Sequence, residues 1–102
     1  MNLYYEPEKY GLKTIGEIDW SSGAYEFDLL VIWQRLVDGA FLVGEDSGCS
    51  CPLPFEDKGV DDLSELGSLA HFNEICFAKI RTYDRSMEMA ALVEKLHVAG
   101  LR

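Results

Sequence analysis

Long apolar runs are missing from this 102-residue chain. No stretch approaches the roughly 18 to 20 consecutive apolar residues that a membrane-spanning helix needs. Bases are scarce as well: 9 Lys and Arg stand against 18 Asp and Glu, a formal charge of −9 at pH 7. A field of that sign repels nucleic acid and anionic membrane, so neither is expected as a direct partner. Cysteine is sparse and odd in number, at Cys49, Cys51 and Cys76, which argues against a disulfide framework. The first ten residues lack a basic segment followed by an apolar one, so no signal peptide is expected and the expected compartment is the cytoplasm. There is no phosphate-binding glycine loop, no dinucleotide fingerprint, no H-E-x-x-H and no Ser/His/Asp set in a recognisable context. His71 and His97 fall in different predicted helices. The adjacent acids Glu45/Asp46 and Asp61/Asp62 would point to opposite sides of an extended chain, which is poor geometry for paired acid–base work. No catalytic residue, cofactor-binding residue or cofactor is therefore assigned, and the expectation is a protein that is not an enzyme.

What is present is enough to fold. The chain is 48% hydrophobic and 12% aromatic, which suits one domain, 1–102, with one core. Its charge is uneven. Residues 63–102 balance five acids with five bases, so the whole excess lies in residues 1–62, and 44–62 alone hold six acids and one base. The bland reading of this field is solubility; the sharper one is an acidic patch aimed at a basic partner.

Leu12 to Trp20 alternates loosely, and Tyr25 to Leu36 is the strongest strand, with Tyr25, Phe27, Leu29, Val31 and Trp33 on one face. Leu30 and Ile32 make its middle apolar on both faces, as in a central strand. Asp38-Gly39 reads as a two-residue hairpin turn, which would set Leu36 opposite Phe41, Gln34 opposite Val43 and Trp33 opposite Gly44. A third strand runs from Ala40 to about Glu45, and 46–62 reads as a loop. Leu66, Leu69, Phe72, Cys76, Ile80 and Tyr83 recur at helical spacing. A rival reading makes Ile75 to Tyr83 a strand, but its apolar positions do not alternate cleanly. Asp61 or Asp62 would cap this helix. Asp84 or Ser86 would cap a second one, striped by Met89, Leu92, Val93 and Leu96 and ended by Gly100.

The expected fold is α+β: a three-stranded antiparallel β-meander with two C-terminal helices packed on one face. The other face would then show Leu30, Ile32, Leu36, Phe41 and Val43. Burying each is worth roughly 1.5–3 kcal/mol, so this face is expected to be a protein-binding or two-fold dimer surface. The competing account has residues 1–10, with Leu3, Tyr4, Tyr5 and Tyr10, folding back over it.

The most distinctive local sequence runs from Asp46 to Glu56 (DSGCSCPLPFE). Zinc would need Cys49, Cys51, Cys76 and His71 as a three-sulfur, one-nitrogen set. The tight C-x-C spacing, and a His and Cys five apart on one helix, fit that poorly, so no metal is expected. Nucleophilic or redox use of Cys49 or Cys51 is disfavoured by Glu45, Asp46, Glu56 and Asp57, which raise a thiol's pKa. A proline-braced recognition loop, anchored by Phe55 and flanked by Asp57, Asp61 and Asp62, is weighed against a loop whose small cysteines and Phe55 merely tuck against the sheet.

Three segments together carry a resemblance: Tyr4 to Leu12 (YYEPEKYGL), Tyr25 to Trp33 (YEFDLLVIW) and Asp46 to Glu56, of which the SGCSCPxPFE run is the most specific. Over residues 4–66 the chain resembles a family of small uncharacterised proteins encoded by phages of actinobacteria such as mycobacteria. The resemblance implies phage origin and action in the host cytoplasm, and supplies no activity, cofactor or catalytic residue. The function expected is binding of a host or phage protein. The alternatives are a zinc domain, or an acidic DNA mimic that inhibits a DNA-binding enzyme.

Overall fold

The first element is a short 3₁₀ turn at Pro7–Tyr10, with Pro7 in the first turn, where a missing N–H costs nothing. Gly11, at φ 72°, ends the turn and turns the backbone into the first strand. The computed structural model describes residues 2–21, 25–49 (Cys49 by its backbone only), 53–79 and 84–102. Four strands form one antiparallel sheet in the order β1-β2-β3-β4: β1 Leu12–Asp19, β2 Glu26–Arg35, β3 Phe41–Cys49 and β4 Ser64–Glu65. Two helices follow, α1 Leu69–Phe77 and α2 Ser86–Val98.

The α+β class and the helix pair on one face are as expected. The strand count is not, because β4 adds a fourth strand by pairing Leu42 with Glu65 and Val43 with Ser64. Two residues are too few for an alternation to register in a sequence. The third strand also extends to Cys49, beyond its expected end.

The β2–β3 register differs from the two-residue turn reading. Gln34 faces Phe41, Trp33 faces Leu42 and Val31 faces Gly44. The cause is a four-residue connection over 36–39. The Gly39 N–H donates to the Arg35 carbonyl at 2.8 Å, and the Arg35 N–H donates to the Ala40 carbonyl at 2.7 Å. Asp38 organises this loop with its side chain: the Arg35 guanidinium donates to it at 2.7 and 3.0 Å, and the Ala40 N–H at 3.0 Å. The slip is by two residues, so every side chain keeps its face. Trp33 still lies over Gly44, on the diagonal: a Cβ on Gly44 would meet its ring at 3.0 Å.

Leu29 to Trp33 are all buried, which makes β2 a central strand with both faces covered. On one face Leu30, Ile32, Phe41 and Val43 pack against Phe72 and Cys76 of α1 and Leu92 and Leu96 of α2. On the other, Leu29, Val31, Trp33 and Leu42 are covered by Leu3, Phe55, Val60 and Leu63. This reverses the expected assignment. The helices take the face that was to be open, so Ile32, Phe41 and Val43 are core and not surface, and Leu36, in the hairpin loop, is 60% exposed. The argument for a dimer through that face goes with it. The N-terminal segment does fold back, but onto the opposite face.

Helix ends follow local chemistry. Ser68 caps α1 by accepting the His71 N–H at 3.0 Å, a role expected of Asp61 or Asp62. Asp62 instead closes the short 3₁₀ turn Val60–Asp62, accepting the Gly59 N–H at 2.7 Å. Residues 75–77 are helical, and Ile80 and Tyr83 lie outside the described residues. Asp84 accepts the Ser86 N–H at 3.0 Å at the start of α2. At its end, Leu101 N–H to Leu96 O and Gly100 N–H to His97 O form the paired bonds of a Schellman stop, with Gly100 at φ 111°.

Candidate functional site

Glu45 and Asp46 are neighbours on β3 and so point to opposite faces of the sheet. Glu45 lies on the helix side, where the Lys79 ammonium sits 3.7 Å from it and 3.0 Å from Asp28. Asp46 turns the other way and accepts the Phe55 N–H at 2.7 Å, pinning the loop that follows β3. The amide of Asn2 donates to the Pro54 carbonyl at 2.8 Å and ties the N-terminal segment to the same loop. Turns at Glu56 N–H to Leu53 O and Lys58 N–H to Phe55 O then hold Glu56, Asp57 and Lys58 outward.

Three hollows that share lining residues link these acids into a band that passes from one side of the sheet to the other. Asp46, Leu53, Glu56, Asp57 and Lys58 line the first. Asp28, Glu45, Asp46, Lys58 and Lys79 line the second. Glu45 reappears in the third with Asp62 and His71. The band therefore wraps the end of β3 that extends beyond β4. Among the described residues, six carboxylates (Asp28, Glu45, Asp46, Glu56, Asp57, Asp62) face two ammonium groups (Lys58, Lys79), four negative charges in excess. Asp61 is exposed beside Asp62. Leu53, 51% exposed, gives the band an apolar spot.

Of the residues assigned to protein binding from sequence, Asp57, Asp61 and Asp62 lie on this surface. Phe55 does not: it is 1% exposed, stacked on Tyr4 at 5.9 Å and edge-on to Trp33 at 5.2 Å. It is the anchor of the loop and not of a partner.

The candidate zinc ligands are not brought together where they can be placed. Cys76 is fully buried in the helix-side core, its thiol pushed up to about 12 by burial and by Glu45. His71 Nδ1 accepts the Gly67 N–H at 3.3 Å. The side chain of Cys49 and all of Cys51 lie outside the described residues. Among the described residues no three His, Cys, Asp or Glu side chains are grouped to hold a metal ion, and no helix is long and apolar enough to cross a membrane.

One cluster was not anticipated from sequence. At the β1–β2 end of the sheet, Asp19 Oδ1 accepts the N–H groups of Ser21 (3.0 Å) and Asp28 (3.1 Å). Burial raises the pKa of this carboxyl, but those hydrogen bonds and Arg85 outweigh it and hold the group below its ordinary value. Arg85 reaches across from the start of α2 to the carbonyls of Asp19 (2.8 Å) and Ser21 (2.7 Å). Beside them is a hollow of about 390 Å³ lined by Trp20, Ser21, Glu26, Asp28, Ser47 and Lys79. Trp20 is 2% exposed, and its indole N–H has no partner among the described residues. The signal available in sequence was the aromatic–acid pairing of Asp19-Trp20 with Phe27-Asp28, on strands that a short turn would join.

No curated protein and no solved structure matches the chain. A family described as a domain of unknown function, DUF7574, matches residues 1–100, and the chain belongs to that family.

Proposed function

We propose that this chain is a small protein-binding module, not an enzyme, that uses the acidic band around β3 to engage a basic surface on another protein. The supporting observation is the convergence of Glu45, Asp46, Glu56, Asp57 and Asp62 from a strand and two turns onto one surface with an excess of negative charge. Such a field speeds encounter with a basic partner and rejects acidic ones. The resemblance over residues 4–66 supports an origin in an actinobacteriophage, a host or phage protein as the partner, and action in the host cytoplasm. The same carboxylates favour a second reading, a DNA mimic that occupies the DNA site of an enzyme. A zinc domain has less support, because Cys76 is embedded in apolar core and its thiolate is disfavoured.

Immobilised protein is used to capture partners from actinobacterial lysate, beside two triple variants. Asp57→Lys, Asp61→Lys, Asp62→Lys reverses the band, and Glu8→Lys, Glu74→Lys, Glu88→Lys reverses exposed acids elsewhere. A partner retained by the wild type and the second variant but lost from the first supports the reading. Equal retention by both variants refutes it. Displacement of that partner by duplex DNA selects the mimic.

A further inference from the structure

Helix α2 runs back along β1, from Arg85 on the carbonyls of Asp19 and Ser21 to Ala99 beside Lys13 and Gln34. The two elements come closest at Gly16, where a Cβ would meet Leu92 at 2.6 Å. A bulge accompanies this approach: the register passes from Thr14–Trp33 to Gly16–Ile32 and leaves Ile15 without a partner on β2. Ile15 packs instead against the helix-side core. Between the bulge and the helix lies a hollow of about 660 Å³, within the range of sites that take a small ligand. Its apolar wall is Ile15 from β1 and Ala91, Val98 and Ala99 from α2, and Val98 is 80% exposed. Every residue of the wall is described. The strand ends next to the internal undescribed stretches, Asp19, Glu26 and Cys49, are at the opposite end of the sheet, as is Lys79 on Asp28.

The charge of this hollow is the reverse of the chain's. Its charged groups are Lys13, Lys95 and Glu94, one positive charge in excess within a protein of net charge −9. Neither ammonium makes an ion pair among the described residues, whereas Lys9, Arg35 and Lys79 each do. Lys95 lays its stem over β1, with Cδ 3.8 Å from the Cβ position of Gly16, so the stem adds apolar surface while the head stays in water. Lys13 stands opposite Gln34, whose amide is held by donation to the Gly39 carbonyl at 3.1 Å. An occupant that answers both features has an apolar body and one negative charge. A carboxylate brings one charge and neutralises the excess. A phosphate monoester, with nearly two, would leave the hollow negative in an already acidic chain. An anionic membrane surface is repelled by the chain as a whole.

We propose that this hollow binds a small amphipathic monocarboxylate of the fatty-acid class, its apolar chain on Ile15, Ala91 and Val98 and its carboxylate paired with the ammonium groups of Lys13 and Lys95. The hollow shares no residue with the acidic band, so the proposal stands or falls independently of the basic-partner reading.

The test is a titration of the ¹⁵N-labelled chain with sodium octanoate, kept below its micelle-forming concentration, beside a titration with octanol. The backbone signals of Thr14, Ile15, Val98 and Ala99 report on the hollow, and those of Asp57 and Asp62 on the band. The expected result is a saturable shift of the first group alone, with octanol binding more weakly than octanoate. Lys13→Gln and Lys95→Gln, at exposed positions, should each weaken octanoate about two- to fivefold, the worth of a partly exposed ion pair, and leave octanol unchanged. Ala91→Phe adds a ring to the wall from an exposed helix position and should abolish binding of both, while unchanged band signals show that the fold is intact. No saturable shift in the hollow overturns the proposal. So does octanol binding as tightly as octanoate with both lysine variants unchanged, or Ala91→Phe binding as the wild type does.

Discussion

Replacing Phe55 separates two roles that its position could serve, and the size and sign of the effect follow from its surroundings. Phe55 closes the second face of the sheet: it is 1% exposed, stacked on Tyr4, edge-on to Trp33, and its N–H is held by Asp46. Truncating a buried Phe to Ala costs about 3–5 kcal/mol. A domain of this length holds about 5–15 kcal/mol in total. Phe55→Ala should therefore lower the melting temperature by about 12 °C or more. The backbone adds a second test. Phe55 has φ 60°, the left-handed region, where a Cβ costs roughly 1–2 kcal/mol and glycine escapes that cost. Glycine normally loses about 0.5–1 kcal/mol to alanine through chain entropy. Here the order should invert, with Phe55→Gly more stable than Phe55→Ala by roughly 0.5–1 kcal/mol. Urea unfolding of the three proteins, fitted with a common slope, measures both differences. A loss below about 1 kcal/mol in Phe55→Ala would return Phe55 to the surface, and Phe55→Gly falling below Phe55→Ala would refute the backbone argument.

Three further outcomes are expected. Gly44→Ala should destabilise by about 1–3 kcal/mol, because the new Cβ would meet Leu63 at 2.6 Å, Trp33 at 3.0 Å and Phe55 at 3.1 Å; chemical denaturation checks it, and an unchanged midpoint would mean that the second core yields freely. In a Cys49→Ser, Cys51→Ser background, Cys76 should stay unreactive to a disulfide-exchange reagent near pH 8 until denaturant is added, since burial and Glu45 push its thiol up to about 12; rapid native-state labelling would contradict this. Asp38 is held down to about 2 by the Arg35 guanidinium and the Ala40 N–H, from an ordinary 3.8. Its stabilisation is thus complete above about pH 4 and is lost as pH falls towards 2. Wild type should lose more stability than Asp38→Asn across that window in thermal melts, and equal losses would remove Asp38 from the turn.

The strong local signals carried most of the architecture. The apolar centre of β2 identified a strand buried on both faces, and the stripes Phe72/Cys76 and Leu92/Leu96 identified the helices. Gly100 marked the end of α2. What could not be read was long-range. A strand apolar on both faces does not say which face the helices choose, so the burial of Ile32, Phe41 and Val43 beneath them does not follow from the pattern. The cover of the opposite face comes from Leu3 and Phe55, far apart in sequence, each a single apolar residue without periodicity. Asp38-Gly39 has the composition of a two-residue turn, but the Arg35–Asp38 ion pair and the Ala40 contact make four residues the better loop. The site divided in the same way. The acids of 44–62 were visible as composition, whereas their union with Asp28 across β2 and β3, and the hollow at Trp20, exist only once the strands pair.

The claim that the acidic band recognises a basic protein surface is tested most directly by the affinity of a captured partner as salt is raised. Equilibrium dissociation constants would be measured for wild type and for the Asp57→Lys, Asp61→Lys, Asp62→Lys variant between about 0.05 and 0.5 M salt, a range over which screening shortens the reach of exposed charges to a few ångströms. The band predicts at least a roughly tenfold loss of wild-type affinity across that range, and a variant that binds more weakly at low salt with a flatter dependence. Wild-type affinity that does not change with salt, matched by the variant at every concentration, would contradict it.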